Sequence, residues 1–297
     1  ALTIAALAVE DKNPESILIA TPADHYVKDL RQFIQAMHLA IKAVQDKSIV
    51  ILGIRPTRPD TGFGYIQYKG DGLIKDVVSF KEKPDKISSQ KFISQGQHVW
   101  NSGMFIMNSH SWLDAIKMSK PDISHQVRKA WSGKKMDQWF ERLDETAFKR
   151  SPSDSIDYAV IEKYQELGLL VKLVILNAGW SDLGSFIALD DIEEKDKNGN
   201  IFKGDVLDMN ATNNIAISLK KNVNLLGVEN LIVIETADSV LVASKEHAQL
   251  IKEHVKTLEK NHQNLLDEHT KVNRPWGWFE ILDYSDTFKV KFIQIDS

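Results

Sequence analysis

The stretch SILIATPADH, residues 16–25, decides the fold class of this chain. Its first half, Ser16 to Ala20, is an apolar run of strand length that ends at the polar cluster Thr21 to His25. A short apolar run bounded by turn residues predicts a buried parallel strand. Because ligands of parallel α/β sheets bind beyond the carboxyl ends of the strands, Asp24 is a candidate site residue.

The segments that follow alternate between helix and strand. Residues 28–45 have the pattern of a helix, and SIVILGIRP, residues 48–56, is a second buried strand. This alternation predicts a doubly wound α/β fold. Further predicted elements are a strand pair joined by the Gly70-Asp71-Gly72 turn, helices over 88–94, 109–117 and 121–143, and Ser109 or Ser111 as the N-cap of the second of these helices.

The composition restricts the class of protein. The 297 residues are 43% hydrophobic, with a formal net charge of −4 and a pI of about 6.2. These values predict a globular protein with a sizeable core and no general attraction to nucleic acid or to an anionic membrane. The absence of cysteine excludes disulfides, thiolate zinc sites and cysteine nucleophiles, and it fits the predicted cytoplasmic location.

Both ends of the chain indicate a piece of a longer protein. Residues 1–9 are apolar at nearly every position, which predicts a helix covered on all sides. The missing initiator Met then predicts that a preceding strand and loop have been lost. The last residues stop within a strand-like alternation, so we expect truncation at that end too.

A change of composition divides the chain. The charged run DDIEEKDKNGN, residues 190–200, predicts a solvated linker that closes an α/β domain over residues 1–198. Residues 199–268 contain short apolar runs at nearly regular intervals and then a charged helix over 246–268, which predicts a β-rich or β-helical appendage. Residues 269–297 return to strand alternation and predict the start of another β domain.

Two aspartates that follow apolar strands could share a metal ion. Asp24 in TPADH has the alternative role of capping the following helix. Asp182 in GWSDLGS lies where another apolar strand, residues 169–176, gives way to a helix. Two carboxylates at strand ends can hold one Mg²⁺, which prefers oxygen ligands and usually keeps water and phosphate oxygens.

Glu82 and Lys83 in FKEKPD are candidates for substrate binding. At a strand end, a carboxylate can accept sugar hydroxyls while the neighbouring lysine supplies a point charge for a phosphate. The alternative is an ordinary surface ion pair, since charged turns are common. Lys81 is predicted to be solvated.

Asn101 in VWNSGMF could bind a sugar hydroxyl, because a side-chain amide both donates and accepts hydrogen bonds. Gly103 permits close backbone approach beside it. Gly62 and Gly64 in TGFGYI could form a surface against which a hexose lies. The alternatives are a turn role for Asn101 and strand-turn roles for Gly62 and Gly64.

The remaining candidates are predicted to be structural. In SIDYAVIEK, Asp157 caps the first turn of a helix that buries Tyr158 and Ile161. The nine histidines show no HExxH spacing and the sequence has no GxSxG elbow, so neither a zinc peptidase nor a serine hydrolase is supported. Core or interface positions are predicted for Trp100, Trp131, Trp139 and Trp180.

Six short segments resemble one family in their order along the chain. TPADH, GFGYIQY, FKEKPD, VWNSGMF, SIDYAVIEK and GWSDLGS are similar to the bacterial mannose-1-phosphate guanylyltransferases of the sugar nucleotidyltransferase family. The β-rich region followed by RPWGWFEIL resembles the long form, in which a cupin-type mannose-6-phosphate isomerase domain follows. The resemblance spans nearly the whole chain.

The resemblance implies a Rossmann-like α/β fold, a β-helical appendage and the start of a cupin-like domain. It implies the reaction of GTP and α-mannose 1-phosphate to GDP-mannose and pyrophosphate, with Mg²⁺ as cofactor. By position, it assigns metal coordination to Asp24 and Asp182, sugar contacts to Gly64, Glu82 and Asn101, and a phosphate contact to Lys83. No role follows for Asp157.

The family's Gly-rich triphosphate loop would lie upstream of Ala1, so the chain as given is expected to lack activity. One alternative is a fragment of a bifunctional guanylyltransferase and mannose-6-phosphate isomerase. Another is a non-catalytic module that binds a sugar phosphate. GTP and mannose 1-phosphate are the expected partners, nucleic acid and membrane are not, and assembly into a homo-oligomer is left open.

Overall fold

The computed structural model describes residues 1–14, 16–44, 48–261, 271–284 and 287–296. The chain divides into two compact units, Ala1–Asp182 and Leu183–Ser297. Within the described residues no helix is both long and apolar enough to cross a membrane.

The first unit alternates helices with strands, as the sequence predicts. Its elements in chain order are α1 (Leu2–Glu10), β1 (Ile17–Ala20), β2 (Tyr26–Val27), α2 (Leu30–Ala43), β3 (Ser48–Ile54), β4 (Tyr65–Lys69), β5 (Ile74–Lys81), α3 (Lys86–Gln95), β6 (His98–Asn108), α4 (Ser109–Ser119), α5 (Pro121–Ser132), β7 (Lys135–Asp137), β8 (Phe140–Arg142), α6 (Glu145–Lys149), α7 (Ile156–Ala159), a 3₁₀ helix (Ile161–Lys163), β9 (Leu170–Ile175) and β10 (Trp180–Ser181).

A six-stranded mixed sheet in the order β1-β6-β3-β9-β5-β4 forms the centre of this unit. Strand β3 is buried along its whole length, because apolar clusters cover both faces of the sheet. One cluster includes Trp112 of α4 and Val127 of α5, and the other includes Ala36 and Ala40 of α2. Two-sided covering explains why β3 is apolar without alternation.

The prediction of a buried parallel strand over residues 16–20 is wrong in two respects. Strand β1 pairs antiparallel with β6, and only Leu18 of its four residues is buried. Because β6 is also antiparallel to β3, and β3 is parallel to β9, strands β1, β3 and β9 still point the same way. Their carboxyl ends therefore meet at one edge, as the site argument requires.

Three local predictions about helices are also wrong. Asn108 is the N-cap of α4, since its side chain accepts from the backbone N–H of His110, so neither Ser109 nor Ser111 has that role. The helix predicted over 121–143 ends at Ser132, and a β7–β8 hairpin follows. Helix α1 buries only Thr3, Ala6 and Leu7, so it is not covered on all sides.

The second unit contains a stack of short parallel strands. Its elements are a 3₁₀ helix (Phe186–Ala188), α8 (Leu189–Ile192), β11 (Ile201–Lys203), β12 (Val206–Met209), β13 (Ile215–Ser218), β14 (Val223–Leu226), β15 (Leu231–Glu235), β16 (Val240–Ser244), a 3₁₀ helix (Lys245–Leu250), α9 (Ile251–Asn261), β17 (Lys271–Arg274), β18 (Gly277–Tyr284) and β19 (Lys289–Ile295). The helix predicted to reach residue 268 lies partly outside the described residues.

Parallel pairing of β11 with β13 and β13 with β15, beside a parallel β12–β14 pair, is the arrangement of a β-helix. Buried asparagines connect successive layers: the Asn214 backbone N–H donates to Asn200 Oδ1, and the Leu231 N–H donates to Asn214 Oδ1. Such bonds satisfy backbone donors where the chain turns between strands. An antiparallel sheet of β17, β18 and β19 follows.

Candidate active site

Two aspartates, Asp24 and Asp182, lie at the same end of the small β2–β10 pair. In that antiparallel pair Ser181 lies opposite Tyr26, and continuing the register by one residue sets Asp182 opposite His25. Both Asp24 and Asp182 act electrostatically on the His25 ring and raise its pKa, although burial has the larger, lowering effect. We call Asp24, His25 and Asp182 the aspartate edge.

The ring of His25 is held in one orientation. The Trp180 indole Nε1–H donates to His25 Nδ1 over 3.2 Å, and the two rings meet edge to face with centroids 5.1 Å apart. A donor at Nδ1 requires that nitrogen to be unprotonated, and burial lowers the pKa of His25 below 6.5. The Trp180 indole thus fixes Nδ1 of His25 as a hydrogen-bond acceptor near the two aspartates, a feature that the sequence did not indicate.

Trp180 also belongs to an aromatic cluster beside the aspartate edge. The Phe63 ring lies 4.9 Å from Trp100 and 5.7 Å from Trp180, centroid to centroid. Trp100 and Trp131 are buried as predicted, whereas Trp139, in the turn between β7 and β8, is 91% exposed. Trp139 is therefore not a core residue, and its predicted interface position stays a prediction.

A pocket floor forms where β4, β5 and β6 lie side by side. Tyr65 lies opposite both Lys81 and Trp100 in the sheet, so the preceding Gly64 is brought next to Glu82 and Asn101. The Asn101 backbone N–H donates to the Gly64 carbonyl over 2.8 Å. A Cβ on Gly64 would lie 2.4 Å from Glu82 Oε2 and 3.1 Å from Phe80 Cζ. Only glycine fits there without displacing the carboxylate.

Glu82 is not part of a surface ion pair. Its side chain is only 9% exposed, and Lys83 Nζ lies 3.6 Å from Glu82 Oε1 while the lysine side chain is 57% exposed. The other oxygen, Oε2, is buried and has no hydrogen-bond partner within the described part of the chain. The alternative of an ordinary surface pair is therefore wrong for Glu82, although the two residues do interact.

Asp157 lies against this floor. Asn101 Nδ2 donates to Asp157 Oδ1 over 2.8 Å, while the Gly103 N–H donates to Asn101 Oδ1 over 3.0 Å. Helix α7 is capped by Ser155, whose hydroxyl accepts from the Tyr158 N–H, and Tyr158 is 44% exposed. The prediction that Asp157 caps a helix that buries Tyr158 is therefore wrong. Ile161 is buried, as predicted.

Burial dominates the electrostatics of the pocket floor. Loss of hydration raises the pKa of Glu82, and the nearby negative charges of Asp157 and Glu162 raise it further, against the lowering effect of Lys83. Burial also raises the pKa of Asp157, and its bond from Asn101 opposes this. We call Gly64, Glu82, Asn101 and Asp157 the sugar pocket, because the resemblance implies sugar contacts for the first three.

Gly103 connects the sugar pocket with the aspartate edge. Its φ is +72°, and a Cβ at this position would lie 3.5 Å from Pro22 Cγ and 3.9 Å from His25 Cε1. Its N–H is bonded to Asn101. One residue of β6 thus lies next to both halves of the candidate site.

The donor set of the aspartate edge fits a divalent cation that keeps part of its own hydration. The residues that the structure describes contain no cluster of three or more His, Cys, Asp or Glu able to enclose a metal ion. Two carboxylates on one edge are instead the kind of incomplete oxygen site that Mg²⁺ occupies together with water and substrate phosphates. The residues present therefore fit such an ion.

The mixed sheet and the strand-end carboxylates define an α/β protein whose candidate site lies at the carboxyl edge of its strands. The model of the nucleotidyl transferase family matches residues 1–199, more than half of the chain. The chain therefore belongs to the nucleotidyl transferase family. A second model, described as MannoseP isomerase/GMP-like beta-helix domain, matches residues 204–258, where the structure has its stacked parallel strands.

Within this family, the chain is similar to proteins of polysaccharide biosynthesis. It is 37% identical over 295 residues to the xanthan biosynthesis protein XanB of Xanthomonas campestris pv. campestris strain B100, covering 99% of this chain and 62% of that protein. It is 38% identical over 291 residues to the mannose-1-phosphate guanylyltransferase of Salmonella muenchen, covering 97% and 60%. The chain thus spans about three fifths of the length of these relatives.

Two solved structures extend the comparison. A structure described as mannose-1-phosphate geranyltransferase from Thermus thermophilus matches with a TM-score of 0.76 and 28% identity, covering 86% of this chain and 73% of that one. A structure described as mannose-6-phosphate isomerase from Helicobacter pylori matches with a TM-score of 0.54 and 32% identity, covering 61% and 69%.

Proposed function

We propose that this chain supplies the sugar-phosphate and metal half of a mannose-1-phosphate guanylyltransferase site. The reaction joins GTP and α-mannose 1-phosphate to give GDP-mannose and pyrophosphate. The observation that carries the proposal is that the Glu82 and Asn101 side chains converge beside Gly64, where an added Cβ would displace the Glu82 carboxylate, next to the aspartate edge. The names of the Salmonella relatives support mannose and GTP as substrates.

The sugar pocket is suited to neutral hydroxyl groups. Glu82 Oε2 is an acceptor that needs a donor, and a sugar hydroxyl can donate to it. Asn101 has one N–H and one oxygen lone pair beyond the bonds already described, so it can both donate to a hydroxyl and accept from it. Gly64 lets the ring of a hexose approach the backbone closely.

The phosphate of the sugar phosphate is proposed to lie near Lys83. Its mostly exposed ammonium group is held at the mouth of the pocket by its interaction with Glu82. The φ of +41° at Lys83 turns the chain sharply at the end of β5. An ammonium on a flexible stem provides a point charge that can follow a phosphate as it approaches the nucleotide.

Asp24 and Asp182 are proposed to hold a magnesium ion. When bound there, Mg²⁺ would neutralise charge on the phosphate oxygens of both substrates. The Trp180 indole holds the His25 ring in one orientation near the two carboxylates. Gly103 keeps the aspartate edge adjacent to the sugar pocket.

In the proposed step a phosphate oxygen of mannose 1-phosphate forms a bond to the α-phosphorus of GTP. The bond from that phosphorus to the bridging oxygen breaks, and pyrophosphate leaves with the electron pair. Such a transfer needs positioning and charge neutralisation rather than a covalent enzyme intermediate. Glu82 and Asn101 fix the sugar, and Lys83 offsets charge on the incoming phosphate.

Binding of α-mannose 1-phosphate to this chain in the presence of Mg²⁺, measured by calorimetry, tests the proposal. We expect saturable one-site binding that weakens at least about tenfold in Glu82→Gln, because a charge-assisted hydrogen bond is lost. Glu166→Gln, at an exposed position, removes the same charge outside the pocket and should bind like the wild type. Equal binding by Glu82→Gln and wild type would contradict the assignment.

A further inference from the structure

A short segment, residues 155–163, contacts two residues of the proposed sugar site through two carboxylates. Asp157 Oδ1 accepts from Asn101 Nδ2 over 2.8 Å. Glu162 Oε1 accepts from the backbone N–H of Glu82 over 3.1 Å. Helix α7 and the following 3₁₀ helix thus reach both the β6 residue and the residue at the end of β5.

The bonds of Asn101 leave its side-chain amide only one orientation. The Gly103 N–H requires the oxygen end of the amide, and the carboxylate of Asp157 requires the nitrogen end. An amide without such partners can exchange its two ends by a half turn, which swaps donor and acceptor. Gly103 and Asp157 together therefore determine where the remaining N–H and the remaining lone pair of Asn101 point.

Glu162 acts on the other residue in a different way. Its carboxylate bonds to the main chain of Glu82, at the place where β5 has ended and Lys83 adopts a positive φ. This bond fixes the backbone from which the Glu82 side chain extends toward Gly64. The Glu82 carboxylate is thereby held in place, although its Oε2 has no hydrogen-bond partner within the described residues.

Helix capping does not account for Asp157. Ser155 already caps α7, and the Asp157 side chain is bonded to a residue of the central sheet instead. Burial raises the pKa of Asp157, because keeping a charged carboxylate at this place costs desolvation free energy. A residue retained only to start a four-residue helix would not need that environment.

We propose that Asp157 and Glu162 are positioning residues for the sugar phosphate, which orient Asn101 and Glu82 without touching the ligand. The proposal rests on the proposed function, because it presumes that the sugar pocket binds mannose 1-phosphate. It adds a selection mechanism: the fixed donor and acceptor of Asn101 match one arrangement of neighbouring hydroxyls, so epimers of the sugar are distinguished by direction as well as by size.

The first test compares variants of Asp157 in the 297-residue chain. Asp157→Ala should weaken binding of α-mannose 1-phosphate by about tenfold, because Asn101 keeps the bond from Gly103 but loses the second of the two partners that fix its orientation. Asp157→Asn keeps an acceptor oxygen for Asn101 Nδ2 and should bind within about threefold of the wild type. Tyr158→Phe, on the same helix and with a half-exposed ring, is the matched control and should bind like the wild type.

Two spectroscopic readouts separate orientation from general loss of structure. In NMR spectra the side-chain amide protons of Asn101 should be well separated and slow to exchange in wild type and in Asp157→Asn, and they should collapse toward free-amide values in Asp157→Ala. The pKa of Glu82 should fall in Asp157→Asn, because a neighbouring negative charge that raises it is gone. A general loss of structure would instead change resonances throughout the chain.

Glu162 gives an independent test of the same idea. Glu162→Ala should weaken binding of mannose 1-phosphate by about threefold, and Glu162→Gln, which still offers an oxygen to the Glu82 N–H, should restore it. Failure of the glutamine variant to restore binding, with the fold intact by circular dichroism, overturns the role of Glu162.

The outcomes for the two proposals are distinguishable. A wild-type chain that binds no mannose 1-phosphate overturns the proposed function and this inference with it. A wild-type chain that binds, together with an Asp157→Ala variant that is folded and binds equally well, overturns the inference alone. If Asp157→Ala does not fold, Asp157→Asn decides: binding more than about tenfold weaker than wild type, despite an acceptor at the same place, contradicts orientation through the hydrogen bond.

Discussion

The aspartate edge and the sugar pocket both carry carboxylates, but the carboxylates of the two regions differ in exposure to solvent. Asp24 is exposed and Asp182 half-buried, at the rim where a two-residue strand pair closes. Glu82 is largely buried, Asp157 is hydrogen-bonded to Asn101, and burial raises the pKa of both. An open carboxylate pair suits a cation that brings its own water, whereas buried carboxylates suit hydroxyl donors that must be selected by direction.

The difference teaches how one site can combine strong and selective binding. In the proposed site, a cation at the aspartate edge would hold the phosphate of any sugar phosphate and so carry little information about the sugar. Directed hydrogen bonds in the sugar pocket would supply that information, because an unpaired buried acceptor costs free energy with the wrong ligand. The four predictions below separate the two regions, from the largest expected effect to the smallest.

Asp182→Ala should have the largest effect. In the native protein that carries this chain, we expect Mg²⁺-dependent pyrophosphate release to fall at least about a hundredfold, since charge neutralisation by the ion contributes several kcal/mol. Asp71→Ala, in the exposed β4–β5 turn, is the matched control and should leave the rate unchanged. Turnover that survives in Asp182→Ala would remove the aspartate edge from the site.

Gly64→Ala should damage the sugar pocket and spare the aspartate edge. The added Cβ would lie 2.4 Å from Glu82 Oε2, so the carboxylate must move and we expect mannose 1-phosphate to bind about a hundredfold more weakly. Broadening of the His25 resonances by Mn²⁺ should persist, because the cation binds elsewhere. Gly72→Ala, where the nearest atom to the new Cβ is 3.4 Å away, serves as the control. Wild-type affinity in Gly64→Ala contradicts the pocket.

The pH dependence of folding distinguishes the buried Glu82 from exposed carboxylates. Its pKa is raised above the ordinary 4.5, so the folded state holds the proton more tightly than the unfolded state does. The resulting stabilisation is complete below the ordinary value and is lost as the pH rises through the raised pKa.

Glu82→Gln removes this titration, and the unfolding free energy of the variant relative to wild type should therefore increase between pH 4 and pH 8. Urea denaturation at several pH values measures the difference. Glu166→Gln should show no such trend, because the residue is exposed. A flat difference for Glu82→Gln would mean that its carboxylate is not held in an apolar environment.

Trp180→Phe should have the smallest effect and should act on the aspartate edge alone. Removing the indole N–H frees His25 Nδ1 to accept a proton, so we expect the pKa of His25 to rise. Titration of the His25 ring by NMR gives the value. Mannose 1-phosphate affinity should be unchanged at pH 8, and an unchanged His25 titration would show that the indole bond does not control the tautomer.

Local sequence pattern predicted the strands whose ends build the site. The apolar runs of β3 and β9 and the turn between β4 and β5 follow from composition within a few residues. The helix predicted over 121–143 is too long, because the amphipathic pattern continues beyond the actual end of the helix at Ser132 and its C-cap Gly133. Glycine at that place was the available signal for an earlier stop.

Pairing between distant segments could not be predicted in the same way. Nothing within residues 16–20 shows that β6 lies between β1 and β3, since the neighbour of a strand is decided by the whole sheet. The role of Asp157 was missed for the same reason: its partner Asn101 is remote in sequence, and burial rather than residue type makes the contact. His25 lies within TPADH, but only its contact with Trp180, which is remote in sequence, gives it a role.

The closing pair β2–β10 has a consequence for the order in which the protein assembles. It joins residues 26–27 to 180–181 through two residue pairs, helped by bonds from the Lys28 and Asp29 N–H groups to the Ala178 carbonyl. A contact of such long sequence separation has a large loop-closure entropy and little area to offset it. The aspartate edge should therefore form after the central sheet in folding and open before it, and amide exchange at Tyr26 and Ser181 should be much faster than in β3.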